Sequence, residues 1–599
     1  MRSWNTPAAF VLAAALPLGC AGRAALDPTL GDEDAGADAS VPPIEASPPP
    51  AAARADKLDL LLVVDNSRNL DAAQGLLVET LPYLLDRLTR PACVNGFGTI
   101  VSETESVDEP CPIGVRDFAP VTDIHIGVIS TSIGGHGADI CSPTSATFDP
   151  TANDRARLLS RAASGGAVPT WQNKGFLAWD PAQVMDPPGD ADLGSFGAKL
   201  AEMVGGVGTK GCGYEAQLES IYRFLVDPEP YLDITVDGNK AVPSGVDDVL
   251  LQQRADFLRP DSLVAVLLLT DEDDCSTRDG GQYYVVNQAV GADGKPFRMP
   301  RARSVCAASP DDPCCVSCAQ TTPAGCVPAE SDPACATPAE PLEDPINLRC
   351  FDQKRRFGID FLYPISRYVD GFGSKVVANR AGELVVNPLY EGGRPSELVF
   401  FAGILGVPWQ DVAVDPKALA TGVRPAMEID WRLVLGDPET GEPPADPLML
   451  PSIDPREGFH PLTGAPVAPP SASSALENPI NGHERVIEGR DDLQYACIYP
   501  LRVPKACMGQ PDCECAGVDA PTNPLCQNPD GSYGATQRFA RAVPATRPLA
   551  VMKELGTQAV VASICADKVG SPAQPTFGYR PAVDVLLRSI RRRLASPDG

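Results

Sequence analysis

Three oxygen-bearing side chains, Asp65, Ser67 and Asn69, follow the apolar run 58–64 at alternate positions. A buried strand ending in such a triplet carries it to its own C-terminal tip, where open α/β sheets keep their ligand sites. Alternation along a turning segment lets all three face one hard cation, which prefers oxygen and tolerates neutral ligands. Asn69 offers an amide oxygen for that purpose. The chemistry implied is metal-assisted binding, against the plainer alternative of a strand followed by an Asn/Ser turn.

Two later segments are built alike. Gly208-Thr209-Lys210-Gly211-Cys212-Gly213-Tyr214-Glu215 precedes a helix-like stretch at 216–225, and the apolar run 262–270 ends in Asp271-Glu272-Asp273-Asp274. Taken in order, the three segments resemble the three motifs of the von Willebrand factor A domain, whose adhesion site usually opens with Asp-x-Ser-x-Ser. Here Asn69 replaces the last serine. The resemblance implies a metal set of Asp65, Ser67, Asn69, Thr209 and Asp271, holding Mg²⁺ or Ca²⁺ with Mn²⁺ as a third candidate. It also implies an open coordination position for water or for an acidic side chain of a protein or cell-surface partner. Glu272, Asp273 and Asp274 read as a solvated acidic loop. The set contains no activated nucleophile with a positioned base, so the chain is not expected to be an enzyme.

The N-terminus sets the expected address. Arg2 precedes the apolar segment 8–18, followed by Gly19 and Cys20, the order of a secretory signal. Leu16-Pro17-Leu18-Gly19-Cys20 resembles a bacterial lipoprotein cleavage box, with Pro17 where leucine is usual. That likeness implies removal of 1–19, lipid attachment at Cys20, and an outer-membrane or cell-surface location, since Ala21 follows rather than an inner-membrane retention aspartate. Residues 20–56, rich in Ala, Pro and acids, read as a disordered tether.

The remaining 57–599 reads as one elaborated α/β domain. Apolar strands at 58–64, 121–130 and 262–270 alternate with amphipathic stretches at 71–90, 195–204 and 216–225, which implies a doubly wound, mostly parallel sheet covered by helices on both faces. Helical character returns at 356–369, 547–555 and 581–594, and further strands are expected at 396–406 and 558–564. Insertions at about 277–348 and 430–540 interrupt this scaffold with prolines, acids and cysteines, and the first is expected to have little core of its own.

Setting Cys20 aside, the 19 cysteines leave an even number for complete pairing in an oxidising compartment. Cys315-Val316-Ser317-Cys318 lacks a second pair or nearby histidine and reads as disulfides, and Cys513-Glu514-Cys515 as bridges to different partners. The whole chain resembles large cysteine-rich von Willebrand A lipoproteins of myxobacteria and related bacteria. A net charge of -29 excludes nucleic acid as the natural partner, and Arg588, Arg591, Arg592 and Arg593 read as the solvated face of a terminal helix. Two rivals remain: a structural envelope lipoprotein with a degenerate metal site, and a secreted metal-dependent hydrolase using His483 beside Glu484. For His483 a loop hydrogen bond is the preferred role, because the chain carries neither His-Glu-x-x-His nor Gly-x-Ser-x-Gly.

Overall fold

The computed structural model describes residues 54–96, 99–141, 153–438, 440–470, 477–508, 513–518 and 520–594. The expected signal segment, Cys20 and nearly all of the tether lie outside the described residues. The tether boundary moves slightly, because Ala55 is already buried and its N–H donates to the Arg593 carbonyl at 2.8 Å.

Mostly apolar runs form the centre, as expected for strands covered on both faces. They are β1 (Lys57–Val64), β2 (Asp123–Ser130), β3 (Phe176–Trp179), β4 (Leu263–Leu269), β5 (Val399–Leu405) and, after a hairpin of β6 (Cys497–Ala506) with β7 (Thr536–Ala542), β8 (Ala559–Ser563). The sheet runs β8-β5-β4-β1-β2-β3, with every pair parallel except β2 and β3. β1 is central, and the order reverses around it.

Two groups of helices flank the sheet. One comprises α1 (Asp71–Thr89), which returns Leu76, Leu77, Leu81, Leu84, Leu85 and Leu88 to the core, together with α2 (Leu193–Gly205) and the late helix Arg580–Ile590. The other comprises Gln217–Leu225, Asp248–Phe257, Ile365–Gly373 and Thr546–Leu555. The architecture is a mostly parallel, doubly wound α/β sheet. No described helix is long and apolar enough to cross a membrane.

Away from the binding loops, Asp59 fixes the opposite end of β1. This fully buried carboxylate accepts the Arg259 backbone N–H and Nε–H, both at 2.8 Å, and the Ser262 hydroxyl. One buried acid thereby ties β1 to the chain entering β4, with its lone pairs occupied as burial requires.

One expectation needs correction. The helical stretch at 356–369 is split into Gln353–Phe357 and Ile365–Gly373. Gly358 ends the first piece at φ +73°, where a Cβ would lie 2.2 Å from the Val316 backbone, and Pro364 caps the second. In the first insertion, Val286 and Met299 pack against Phe357 and Phe361, which lie beyond its end, so this small cluster is shared with the following segment.

Among the described residues, nine disulfides use every cysteine except Cys20, which lies outside them. Cys315 pairs with Cys306 and Cys318 with Cys335, so the Cys-x-x-Cys is a pair of staples. Cys513 pairs with Cys507 and Cys515 with Cys526.

Candidate functional site

Hydrogen bonds lock the three oxygen-rich tips into one floor. Asp65 continues β1 by donating its N–H to the Leu269 carbonyl at 3.0 Å. Its side chain is fully committed: Oδ1 accepts the Ser67 N–H at 2.7 Å and Oδ2 accepts the Thr270 hydroxyl at 2.6 Å. Gln74, on the first turn of α1, donates to both the Asp65 carbonyl at 2.9 Å and the Gly208 carbonyl at 2.8 Å, which joins the first tip to the 208–215 loop. Asn66 extends that join, since its Oδ1 accepts Ser132 Oγ–H at 2.9 Å while its carbonyl accepts the Gly211 N–H at 3.1 Å.

Above this floor lies a cavity of about 1050 Å³. Ser67, Asn69, Thr209 and Asp271 line it together with Glu215, Glu272, Glu514 and Arg541. Asp65 lies beneath the lining, one hydrogen bond below Ser67. Two buried oxygens at the cavity, Asn69 Oδ1 and Asp271 Oδ1, have no hydrogen-bond partner. Buried carboxylate and amide oxygens are rarely left so, and hydroxyls at Ser67 and Thr209 complete a donor set suited to a hard cation. Asn69 takes a left-handed φ of +59°, which asparagine tolerates better than most residues.

Negative charge is concentrated here at low solvation. Burial, reinforced by the nearby Glu272 carboxylate, pushes Asp65 up to about 6. Burial raises Glu215 and Asp271 well above the ordinary carboxylate range, with Glu272 adding to both. The compensating group is Arg541 on β7. Its Nη2 lies 3.2 Å from Glu272, its Nη1 3.9 Å from Asp271 and its Nε 3.9 Å from Glu514. Burial disfavours the charged guanidinium, but Asp492, Asp271, Glu272 and Glu514 outweigh it and hold Arg541 firmly protonated.

The acidic run after β4 is not a solvated loop. Asp274 is buried, accepts the Leu218 N–H at 2.9 Å and pairs with Arg547 at 3.1 Å. Asp273 accepts the Thr546 hydroxyl at 2.6 Å and the Arg547 N–H at 2.8 Å. These acids satisfy the N-termini of Gln217–Leu225 and Thr546–Leu555, where free N–H groups and the helix dipole favour a carboxylate.

His483 is a loop hydrogen-bonding residue as expected. Its Nδ1 is 2.7 Å from the Glu484 carbonyl and its Nε2 2.9 Å from the Tyr533 hydroxyl. Glu484 is held by Arg456 at 2.8 Å. In the terminal cluster, Arg588 donates to the Val423 carbonyl and Arg591 pairs with Asp117, both at 3.0 Å, so these two pack rather than merely solvate.

A second constellation had no sequence signal. Asp411, Asp446 and His460 form a buried cluster whose ligand atoms lie within 4.8 Å of one another, an arrangement able to coordinate a divalent ion. Glu514 and Arg541 were also missed as site residues, while Glu215 stood in the second motif without a role. No family model matches the chain, nor does any curated protein or solved structure.

Proposed function

We propose that the protein is a cell-envelope lipoprotein, anchored through Cys20, that binds a protein or surface ligand through a divalent cation held over β1 and β4. The convergence of Ser67, Asn69, Thr209 and Asp271 on one cavity, with Asn69 Oδ1 and Asp271 Oδ1 unpartnered, carries this reading. Mg²⁺ or Ca²⁺, with Mn²⁺ as a third candidate, would bind these oxygens. Asp65 would act from below by orienting Ser67, and an acidic side chain of the partner would complete the shell. The strand order and its antiparallel edge strand support a von Willebrand factor A-like identity for the sheet. We assign no catalytic step to this cavity.

A structural envelope lipoprotein without a metal is the second reading, and Arg541 is the observation favouring it. Its guanidinium already supplies positive charge between Asp271, Glu272 and Glu514. Calorimetric titration of the oxidised chain with Mg²⁺, Mn²⁺ and Ca²⁺, beside Asp271→Ala, separates the two. Saturable binding lost in the variant supports the cation-bridging role. A folded wild type whose titration the variant does not change rejects it in favour of the structural reading.

A further inference from the structure

Asp411, Asp446 and His460 lie apart from the cavity over β1, and their polar atoms are left in an unusual state. Asp411 follows β5 in the short helix Trp409–Val412. Asp446 caps the turn Pro447–Met449, giving Oδ1 to the Leu448 N–H at 3.0 Å and leaving Oδ2 free. His460 sits in a tight loop closed by its own N–H on the Ala465 carbonyl at 2.8 Å. Asp411 is 3 % exposed and the other two are fully buried. Four of their atoms, both Asp411 carboxylate oxygens, Asp446 Oδ2 and His460 Nε2, find no hydrogen-bond partner outside the cluster. Among the described ion pairs, neither carboxylate meets a lysine or arginine. Buried carboxylate oxygens left with no donor or counter-cation from the surrounding fold are strongly disfavoured unless something binds them.

We propose that these residues form a buried site for a zinc-class transition-metal ion. Each residue offers one ligand atom, two carboxylate oxygens and one imidazole nitrogen, and the second Asp411 oxygen is placed to make that carboxylate bidentate. His460 Nε2 lies 3.1 Å from Asp411 Oδ1 and 3.8 Å from Asp446 Oδ2, bracketing the roughly 3.4 Å edge of a tetrahedron with bonds of about 2.1 Å. Ca²⁺ requires six to eight oxygens, more than two carboxylates supply, and Mg²⁺ prefers an all-oxygen shell, whereas this cluster contributes an imidazole nitrogen. Two carboxylates and one neutral imidazole cancel a dipositive charge without help from arginine or lysine. Without metal, Nδ1 accepts the Thr463 N–H at 3.3 Å, which leaves the ring proton on Nε2. Metal binding moves that proton to Nδ1, giving up the long Thr463 bond, and frees the Nε2 lone pair. The ion would clamp the segment after β5 to the 436–468 loops, at the start of the second insertion.

The test loads the full, oxidised, chelator-treated chain with Zn²⁺ alone. Wild type and Asp271→Ala should each bind about one ion per chain and melt at a higher temperature with it. His460→Gln should lose affinity by on the order of 100-fold. A folded wild type that binds Zn²⁺ no more tightly than His460→Gln overturns the proposal, as does binding abolished by Asp271→Ala but not by His460→Gln. Should His460→Gln fail to fold, Co²⁺ added to the wild type decides the matter. Intense visible bands of a tetrahedral nitrogen–oxygen site support the clamp, and a weak octahedral spectrum rejects it.

Discussion

Asn69 Nδ2 donates to Glu514 Oε1 at 2.5 Å, joining residues 445 positions apart. Through this bond the cysteine-rich arm rests on the tip of β1, and the acid beside the candidate cation position comes from the chain itself. Glu514 stands between Cys513 and Cys515, whose bridges to Cys507 and Cys526 fix its backbone from both sides. Glu514→Ala leaves the Asn69 amide without its acceptor and should cost about 1.5–3 kcal/mol of local stability. Hydrogen exchange near 69 and 514 should then accelerate by on the order of 10- to 100-fold, while Glu514→Gln, which still accepts, should stay near wild type. Unchanged exchange in the alanine variant would show that the contact holds nothing.

Gly211 tests the floor beneath the cavity. A Cβ there would lie 2.4 Å from Ser132 Oγ and 2.7 Å from Asn66 Oδ1, two atoms that are hydrogen-bonded to each other. Gly211→Ala should therefore destabilise by about 1–3 kcal/mol and weaken Mg²⁺ binding, because the loop carrying Thr209 must shift. Gly75 on α1 has nothing within 4 Å, and Gly75→Ala should stabilise by about 1 kcal/mol. Chemical denaturation of both variants checks the opposite signs, and equal midpoints would refute this account of the floor.

What could be read from the sequence followed the range of the interactions. β1 and β4 were legible because continuous apolar runs followed at once by oxygen-bearing side chains are local signals, and Ser67, Asn69 and Asp271 ride on those tips while Thr209 stands in the loop after α2. The break at Gly358 was not, because the glycine is demanded by the distant Val316 backbone pressed against it. Glu514 and Arg541 reach the cavity only after the arm folds over it. Asp411, Asp446 and His460 stand in loops that show no periodicity. Asp273 and Asp274 misled for a different reason: their partners are N–H groups of helices that begin elsewhere, and composition does not record such partners.

The disulfides should differ in worth by the loops they close. Cys497–Cys565 spans 68 residues and ties the start of β6 to the end of β8, whereas Cys507–Cys513 spans only 6. Loop-closure entropy assigns roughly 4 kcal/mol to the first and about 2 kcal/mol to the second. Urea denaturation of the paired alanine variants should rank them in that order. The reverse ranking would mean that the small loop contributes through its placement of Glu514 rather than through chain entropy.

His125 supplies a pH dependence remote from either candidate cation site. Its Nδ1–H donates to the Phe257 carbonyl at 3.0 Å, and its ring packs against Phe176 with centroids 4.5 Å apart. The charged groups around it are Arg259, Asp123, Lys174 and Asp59, the last 3.8 Å away. Burial first, and Arg259 second, hold this imidazole down at about 4, against the opposing pull of the Phe257 carbonyl and Asp123. An unfolded histidine titrates near 6.5, so between these values the unfolded chain takes up a proton that the folded chain refuses. The associated stability is present in full above pH 6.5 and is lost as pH falls towards 4, by about 3 kcal/mol in all. Urea midpoints of the wild type and His125→Gln, followed from pH 7.5 to 4, should converge by that amount because the variant has no proton to gain. Parallel curves would show that His125 takes up its proton over the same pH range folded and unfolded, so that its burial carries no pH dependence.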